Sequence, residues 1–279
     1  MTAASVAGAS RRPARPARSL VWPLAFGAFL VISYLSLSEE FGIGLDLGGL
    51  IADLGRGSSI LWHASDNPAA RGLLQPNWDY VPRTVGPMIE TFQMAVIASV
   101  IGCGLALPFS FLASRLTTAG RITLFVTRSV LNVVRAIPDI LYALIFVAAV
   151  GVGPLPGMLA LILFNIGVIA KLLSETIDGV DQGPLEAARA SGGNQAQMVR
   201  WAVLPQVLPN YVAYSLYTFE LNIRASTVLG IVGAGGIGRE LFAQYKLFNW
   251  SNVSVAIIEL FLLVIVIELI SIALRRRLV

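Results

Sequence analysis

Residues 178–206 read DGVDQGPLEAARASGGNQAQMVRWAVLPQ, a polar stretch set between two long apolar runs, 156–177 and 206–232. Pro184 suits the first turn of a helix, and Glu186 sits close to the positive end of its dipole, so a helix is expected from Pro184 to Ala190. Gly192 and Gly193 break it. A second helical piece, Gln195 to Val203, is expected to end before Pro205. A short helix, a glycine turn and another short helix make a compact exposed knob between two hydrophobic segments.

The flanking runs set the class. The chain has 279 residues, 56% hydrophobic and 13% charged, with a mean hydropathy of +0.75, far more apolar than a soluble domain. A hydrocarbon core roughly 30 Å thick takes about 20 apolar residues per helical crossing. Six runs qualify: 20–38, 87–113, 122–150, 156–177, 206–232 and 253–274. Residues 1–19 hold Arg11, Arg12, Arg15 and Arg18 among Ala, Pro and Ser and read as a disordered basic tail. The run after it is longer than the apolar region of a secretory signal, so an uncleaved first helix is expected at 20–38. Residues 39–83 carry Glu39, Glu40, Asp46, Asp53, Asp66 and Asp79 against Arg56, Arg71 and Arg83. They read as an outer loop, with a possible surface helix over Leu45 to Trp62. Arg115, Arg121, Arg189, Arg200 and Arg275 to Arg277 fall with the tail on one side, which the positive-inside rule makes cytoplasmic. Both termini are therefore expected inside, and residues 84–279 form one transmembrane domain with a cytoplasmic loop at 178–206.

Other classes are excluded. The formal charge of +4 is spread over the ends of apolar runs and not gathered into a nucleic-acid patch. One cysteine, Cys103, and one histidine, His63, leave no intrachain disulfide and no metal cluster. The chain has no GxxxxGK[ST] phosphate loop, so it is not itself an ATPase. Gly233 to Gly238 formally matches GxGxxG, but no strand–turn–helix context surrounds it. A glycine-rich bend or gate at Gly233, Gly235, Gly236 and Gly238 is the better account. Tyr211, Tyr214 and Tyr217 read as packing aromatics.

Glu186-Ala187-Ala188, three residues, Gly192, then Leu204-Pro205 resembles the coupling loop of ABC importer permeases, whose pattern is EAA, three residues, Gly, nine residues, Ile, one residue, LP. Ala202 replaces the isoleucine. Arg135 to Ile140 (RAIPDI), Phe219 to Gly230 (FELNIRASTVLG) and Val232 to Gly238 (VGAGGIG) are similar to the phosphonate branch of these permeases. The resemblance covers about the last 150 residues. It implies an all-α, type I ABC importer permease (MetI-like) of six transmembrane helices in a bacterial inner membrane. It also implies a homodimer, two ATP-binding subunits that bind ATP and Mg and receive the loop, and an outer substrate-binding protein. The chain itself would hold no cofactor and would pass phosphonate, phosphate or phosphite. Glu186 would offer a charged contact, while Ala187, Ala188 and Gly192 would allow close approach.

Charges inside membrane helices cost about 2.5–3.5 kcal/mol each on insertion scales and are retained for pairing or for a pathway. Glu220 and Arg224, and likewise Arg135 and Asp139, have the spacing of ion pairs on one helix. The same arginines, with Asn222 and Thr227, suit a route for an oxyanion, because a guanidinium offers a planar fork of donors and keeps its charge. Pro138 is expected to kink its helix there. The competing class is an ion-driven secondary transporter using Glu90, Glu259 and Glu268.

Overall fold

The computed structural model describes residues 18–41, 55, 57–58, 60–62, 71–118 and 120–278. Among these every regular element is a helix, as the apolar runs require. The tail expected at 1–19 lies outside the described residues save its last two positions. His63 and most of the surface helix expected at 45–62 also lie outside them. The chain divides into a unit at 1–58 and a unit at 59–279. The first holds α1 (Arg18–Phe41), whose side chains over Trp22–Leu30 are mostly exposed.

The second unit opens with a 3-10 turn, Trp78–Tyr80. It continues through α2 (Val81–Ala113), α3 (Arg121–Ala136), α4 (Asp139–Val150), α5 (Pro154–Asp178), α6 (Gly183–Ala190) and α7 (Gln195–Met198). A π turn (Val199–Val203), α8 (Leu204–Ile231), α9 (Gly236–Lys246) and α10 (Trp250–Leu278) complete it. Among the described residues, three helices are long and apolar enough to cross a membrane, or up to five spans if each of two bent pairs is one. The run at 122–150 is one of those pairs. It is not one kinked helix but two, α3 and α4, at 86°. Proline causes the break: Pro138 has no N–H, and its ring drives Ile137 to an extended conformation, φ −86° and ψ 124°. Asp139 restarts the helix, its Oδ1 accepting from the Ile140 N–H at 2.9 Å.

The heart of the unit is α2 against α5, brought close by small residues. A Cβ on Gly102 would lie 2.7 Å from Asn165 Cβ, and one on Gly157 would lie 2.5 Å from Met94 Cε. Buried polar groups pin the layers. Asn165 Nδ2 donates to Ala98 O at 3.2 Å, and Asn222 Nδ2 on α8 donates to Ser99 Oγ on α2 at 2.7 Å. Outside this seam, Ile122, Phe125, Phe261 and Leu269 are exposed. Such a surface suits hydrocarbon and would be penalised in water.

Candidate functional site

The knob forms as a unit between α5 and α8. In α6, Leu185 is buried with Leu173 and Ile177 of α5 and with Ala202, Val203 and Val207. Glu186 and Ala187 are left on the exposed face and Ala188 is half-buried. Gly192 follows at φ +75°, a conformation in which a Cβ meets the carbonyl oxygen, so glycine is the natural occupant. Asn194 then starts α7 with a capping box: its Oδ1 accepts from Gln197 N at 2.9 Å, and Gln197 Oε1 accepts from Asn194 N at 2.8 Å.

The second piece does not end before Pro205. It passes through the π turn into α8, with Leu204 and Pro205 in the first turn. One extra residue per turn carries the chain past the missing N–H of Pro205, so the backbone continues where a regular helix would be broken. Ala202, at the isoleucine position, is 3% exposed and packs inside the knob.

Long-range bonds fix the root of the knob. Asp178 Oδ1 accepts from Ser114 Oγ at 2.6 Å and from Arg115 N at 2.7 Å, and its Oδ2 accepts from Arg128 Nη2 at 2.8 Å. Arg128 Nε also donates to Ala113 O at 2.7 Å. At the other end, Gln206 Oε1 accepts from Asp181 N at 3.0 Å, and Gln206 Nε2 donates to Ala202 O at 2.8 Å. Sequence reading missed Arg128 and Asp178 as partners, since 50 residues separate them.

The glycine bend joins α8 to α9, a helix that the apolar pattern did not reveal. Gly233, Gly235 and Gly236 have φ of +88°, +85° and +70°. A Cβ on Gly238 would fall 1.8 Å from Thr227 O, so α9 folds back onto α8 with no room for a side chain. The first N–H groups of α9 are taken by α2: Gly236 N donates to Glu90 Oε1 at 3.1 Å and Ile237 N to Thr91 Oγ1 at 2.8 Å. Glu90 is thereby a cap on the start of α9.

The charged residues divide. Glu220, 8% exposed, binds Arg224 at 2.5 Å through Oε1 and Arg275 of α10 at 3.3 Å through Oε2. Arg224 also lies 3.8 Å from Glu268 Oε2. Asn222 turns to the other side, toward Ser99. Thr227 Oγ1 is spent on Ile223 O at 3.3 Å. Arg135 and Asp139 do not pair, because the helix break at Pro138 removes the register that would align them, and Arg135 is exposed. Ile137 and Ile140, flanking Pro138, pack into the same cluster as Ala225 and Leu229 of α8 and Val232 just after it. Tyr214 bonds Thr176 at 3.0 Å, while Tyr211 packs into the cores around Ala170 and Val207. A groove of about 450 Å³ between α2 and α8 is lined by Val96, Val100, Leu216 and Phe219 among others, with no charged group.

The chain matches the family of binding-protein-dependent transport system inner membrane components over residues 106–279. It is 37% identical over 203 residues to the phosphite transport system permease protein PtxC of Stutzerimonas stutzeri, covering 73% of this chain and 74% of that one. It is 40% identical over 190 residues to the phosphate-import permease protein PhnE of Mycolicibacterium smegmatis, covering 68% of this chain and 36% of that longer relative. In fold it is similar to a chain of the MetNI methionine ABC transporter in inward-facing conformations, with a TM-score of 0.65, 22% identity and coverage of 73% and 99%. The chain is an integral membrane protein of the binding-protein-dependent transport family, a permease subunit of an ABC importer with the MetI-like fold.

Proposed function

We propose that this permease passes a phosphorus oxyanion, phosphonate, phosphite or phosphate, across a bacterial inner membrane, driven by ATP hydrolysed in partner subunits docked on the knob. Six crossings follow if α1, α2, the α3–α4 pair, α5, α8 with α9, and α10 each count once, which leaves both termini and the knob cytoplasmic. Two copies of the chain enclose the route, and an outer binding protein delivers the cargo. Relatives whose names specify phosphite and phosphate transport support the substrate class.

The observation that carries the coupling is the knob. Glu186 and Gly192 stand exposed on a helix pair that Asp178, Arg128 and Gln206 tie to three membrane helices. A push on such a knob reaches the bundle instead of bending a loop. The test is ATPase activity of the assembled complex with binding protein loaded with phosphite, phosphonate or phosphate. At least one of these raises hydrolysis in a vesicle-inserted complex, and no stimulation by any of them overturns the reading.

The ion-driven alternative asks Glu90, Glu259 and Glu268 to be free proton or cation sites. Glu90 caps α9 and Glu268 faces Arg224, so two of the three already have structural work. Only Glu259, whose Oε2 is buried without a hydrogen-bond partner among the described residues, keeps that reading in play.

A further inference from the structure

The Glu220 cluster holds more than the pair that spacing suggests. Its carboxylate is gripped on both oxygens by guanidinium groups from two helices, Arg224 of α8 at 2.5 Å and Arg275 of α10 at 3.3 Å. Arg275 is itself aimed. Its Nη2 donates to Ser271 Oγ at 3.0 Å and its Nε to Ser271 O at 3.4 Å, and Ser271 is 2% exposed. Arg224 has a second carboxylate in view, Glu268 at 3.8 Å, and both of those side chains are about half exposed, 48% and 47%. Glu220 is therefore the buried member, and Arg224 is a cation facing two carboxylates.

A carboxylate bridging two arginines occupies the position of an oxyanion. Two oxygens on one carbon and two oxygens on one phosphorus have nearly the same bite, and guanidinium donors recognise both through paired N–H groups. The cluster contains two arginines and two glutamates, so it is neutral when closed. That is the condition for keeping a partly buried cluster of charges without a large penalty. A shift of the Arg224 contact from Glu220 at 2.5 Å toward Glu268 at 3.8 Å would free N–H groups between Arg224 and Arg275 for an arriving anion. Glu220 would then be a resident counter-ion that yields to the cargo and expels it on returning.

We propose that Arg275, with Arg224, forms a two-arginine site for a phosphate-class oxyanion near the C-terminal end of α10, with Glu220 as its exchangeable occupant and Ser271 positioning Arg275. The inference rests on the oxyanion-import reading above and adds to it Arg275, Ser271 and Glu268, none of which lies in the motifs quoted for the resemblance. It differs from a purely structural clamp in one respect. A clamp needs only charge balance between α8 and α10, whereas the anion site needs the second guanidinium.

The experiment is uptake of labelled phosphite, methylphosphonate and phosphate by the complete complex in proteoliposomes, made with and without phosphatidylglycerol. The variants are Arg275→Gln, Arg275→Lys and the balanced pair Arg275→Gln with Glu220→Gln, each with its thermal unfolding midpoint recorded. Losing a charge-assisted contact to the moving anion lowers uptake per inserted complex by about tenfold or more. Arg275→Gln shows that loss, Arg275→Lys an intermediate rate, and the balanced pair recovers the unfolding midpoint but not uptake. Full uptake by the balanced pair overturns the proposal and leaves a structural clamp. A defect that appears only with phosphatidylglycerol also overturns it, since Arg275 would then serve a lipid headgroup. If the wild-type complex moves none of the three anions, the oxyanion reading itself fails, an outcome distinct from either of these.

Discussion

Replacing Arg128 by alanine tests whether the knob is governed from its root. One side chain ties two helix ends to the middle of α3, which carries it: Nη2 to Asp178 Oδ2 at the end of α5 and Nε to Ala113 O at the end of α2. The Arg128 and Asp178 side chains are 21% and 26% exposed, so the pair lies between two regimes. A fully exposed pair contributes about 0–1 kcal/mol. Stranding one partner of a fully buried pair costs about 3–5 kcal/mol. Asp178 keeps its bonds from Ser114 and Arg115 after the substitution, which holds the cost below the upper regime. The Ala113 carbonyl, an orphan at a helix C-terminus, loses its donor. Together these place the destabilisation at about 2 kcal/mol.

The assay pairs equilibrium unfolding of the purified protein with ATPase stimulation by loaded binding protein. Arg128→Ala lowers stability by that amount and weakens stimulation. Arg128→Lys restores part of both, since it keeps the charge and loses the second donor. In a double-mutant cycle with Asp178→Asn the two changes are non-additive by about 1 kcal/mol or more. An unchanged unfolding midpoint with unchanged stimulation, or a strictly additive cycle, refutes the reasoning.

Gly192→Asp imposes left-handed strain of about 1–2 kcal/mol but meets no neighbour within 4 Å. The protein therefore still folds and inserts while stimulated ATPase activity falls, and undiminished stimulation removes Gly192 from the docking face. Gly238→Ala drives a methyl into Thr227 O, a backbone atom that cannot rotate aside. It costs about 3 kcal/mol, read as a lowered unfolding midpoint; a midpoint equal to wild type contradicts the close α8–α9 approach. Asn222→Ala and Ser99→Ala each cost about 1–3 kcal/mol by orphaning the other's buried group. The pair of changes together costs less than their sum, and simple additivity rules out the interhelical bond.

Local features were the legible ones. Glu186 to Pro205 could be read because the motif, the glycine turn and the helix starts are all written within a few residues of one another. The i,i+4 pairing of Glu220 with Arg224 was legible for the same reason, whereas Arg135 and Asp139 share that spacing and do not pair. The difference is Pro138: its effect on backbone direction was foreseen, but whether a proline bends or severs a helix depends on what the freed segment packs against. The π turn was invisible because it changes no residue type, only the hydrogen-bond step. Arg275 on Glu220, Arg128 on Asp178 and Glu90 on Gly236 join residues 55, 50 and 146 positions apart. No periodicity encodes such contacts; they exist only once α10, α3 and α2 have packed. The start of α9 was hidden by glycines, whose role there is to let two backbones touch.

The most direct test of the account is concentrative uptake by purified protein in liposomes, with the chain alone and then with its ATP-binding subunits and binding protein. The account predicts that labelled phosphite, phosphonate or phosphate accumulates only in the complete assembly supplied with ATP on the knob side, and that proton or sodium gradients drive nothing through the chain alone. Gradient-driven accumulation by the isolated chain, abolished by Glu259→Gln, would contradict it.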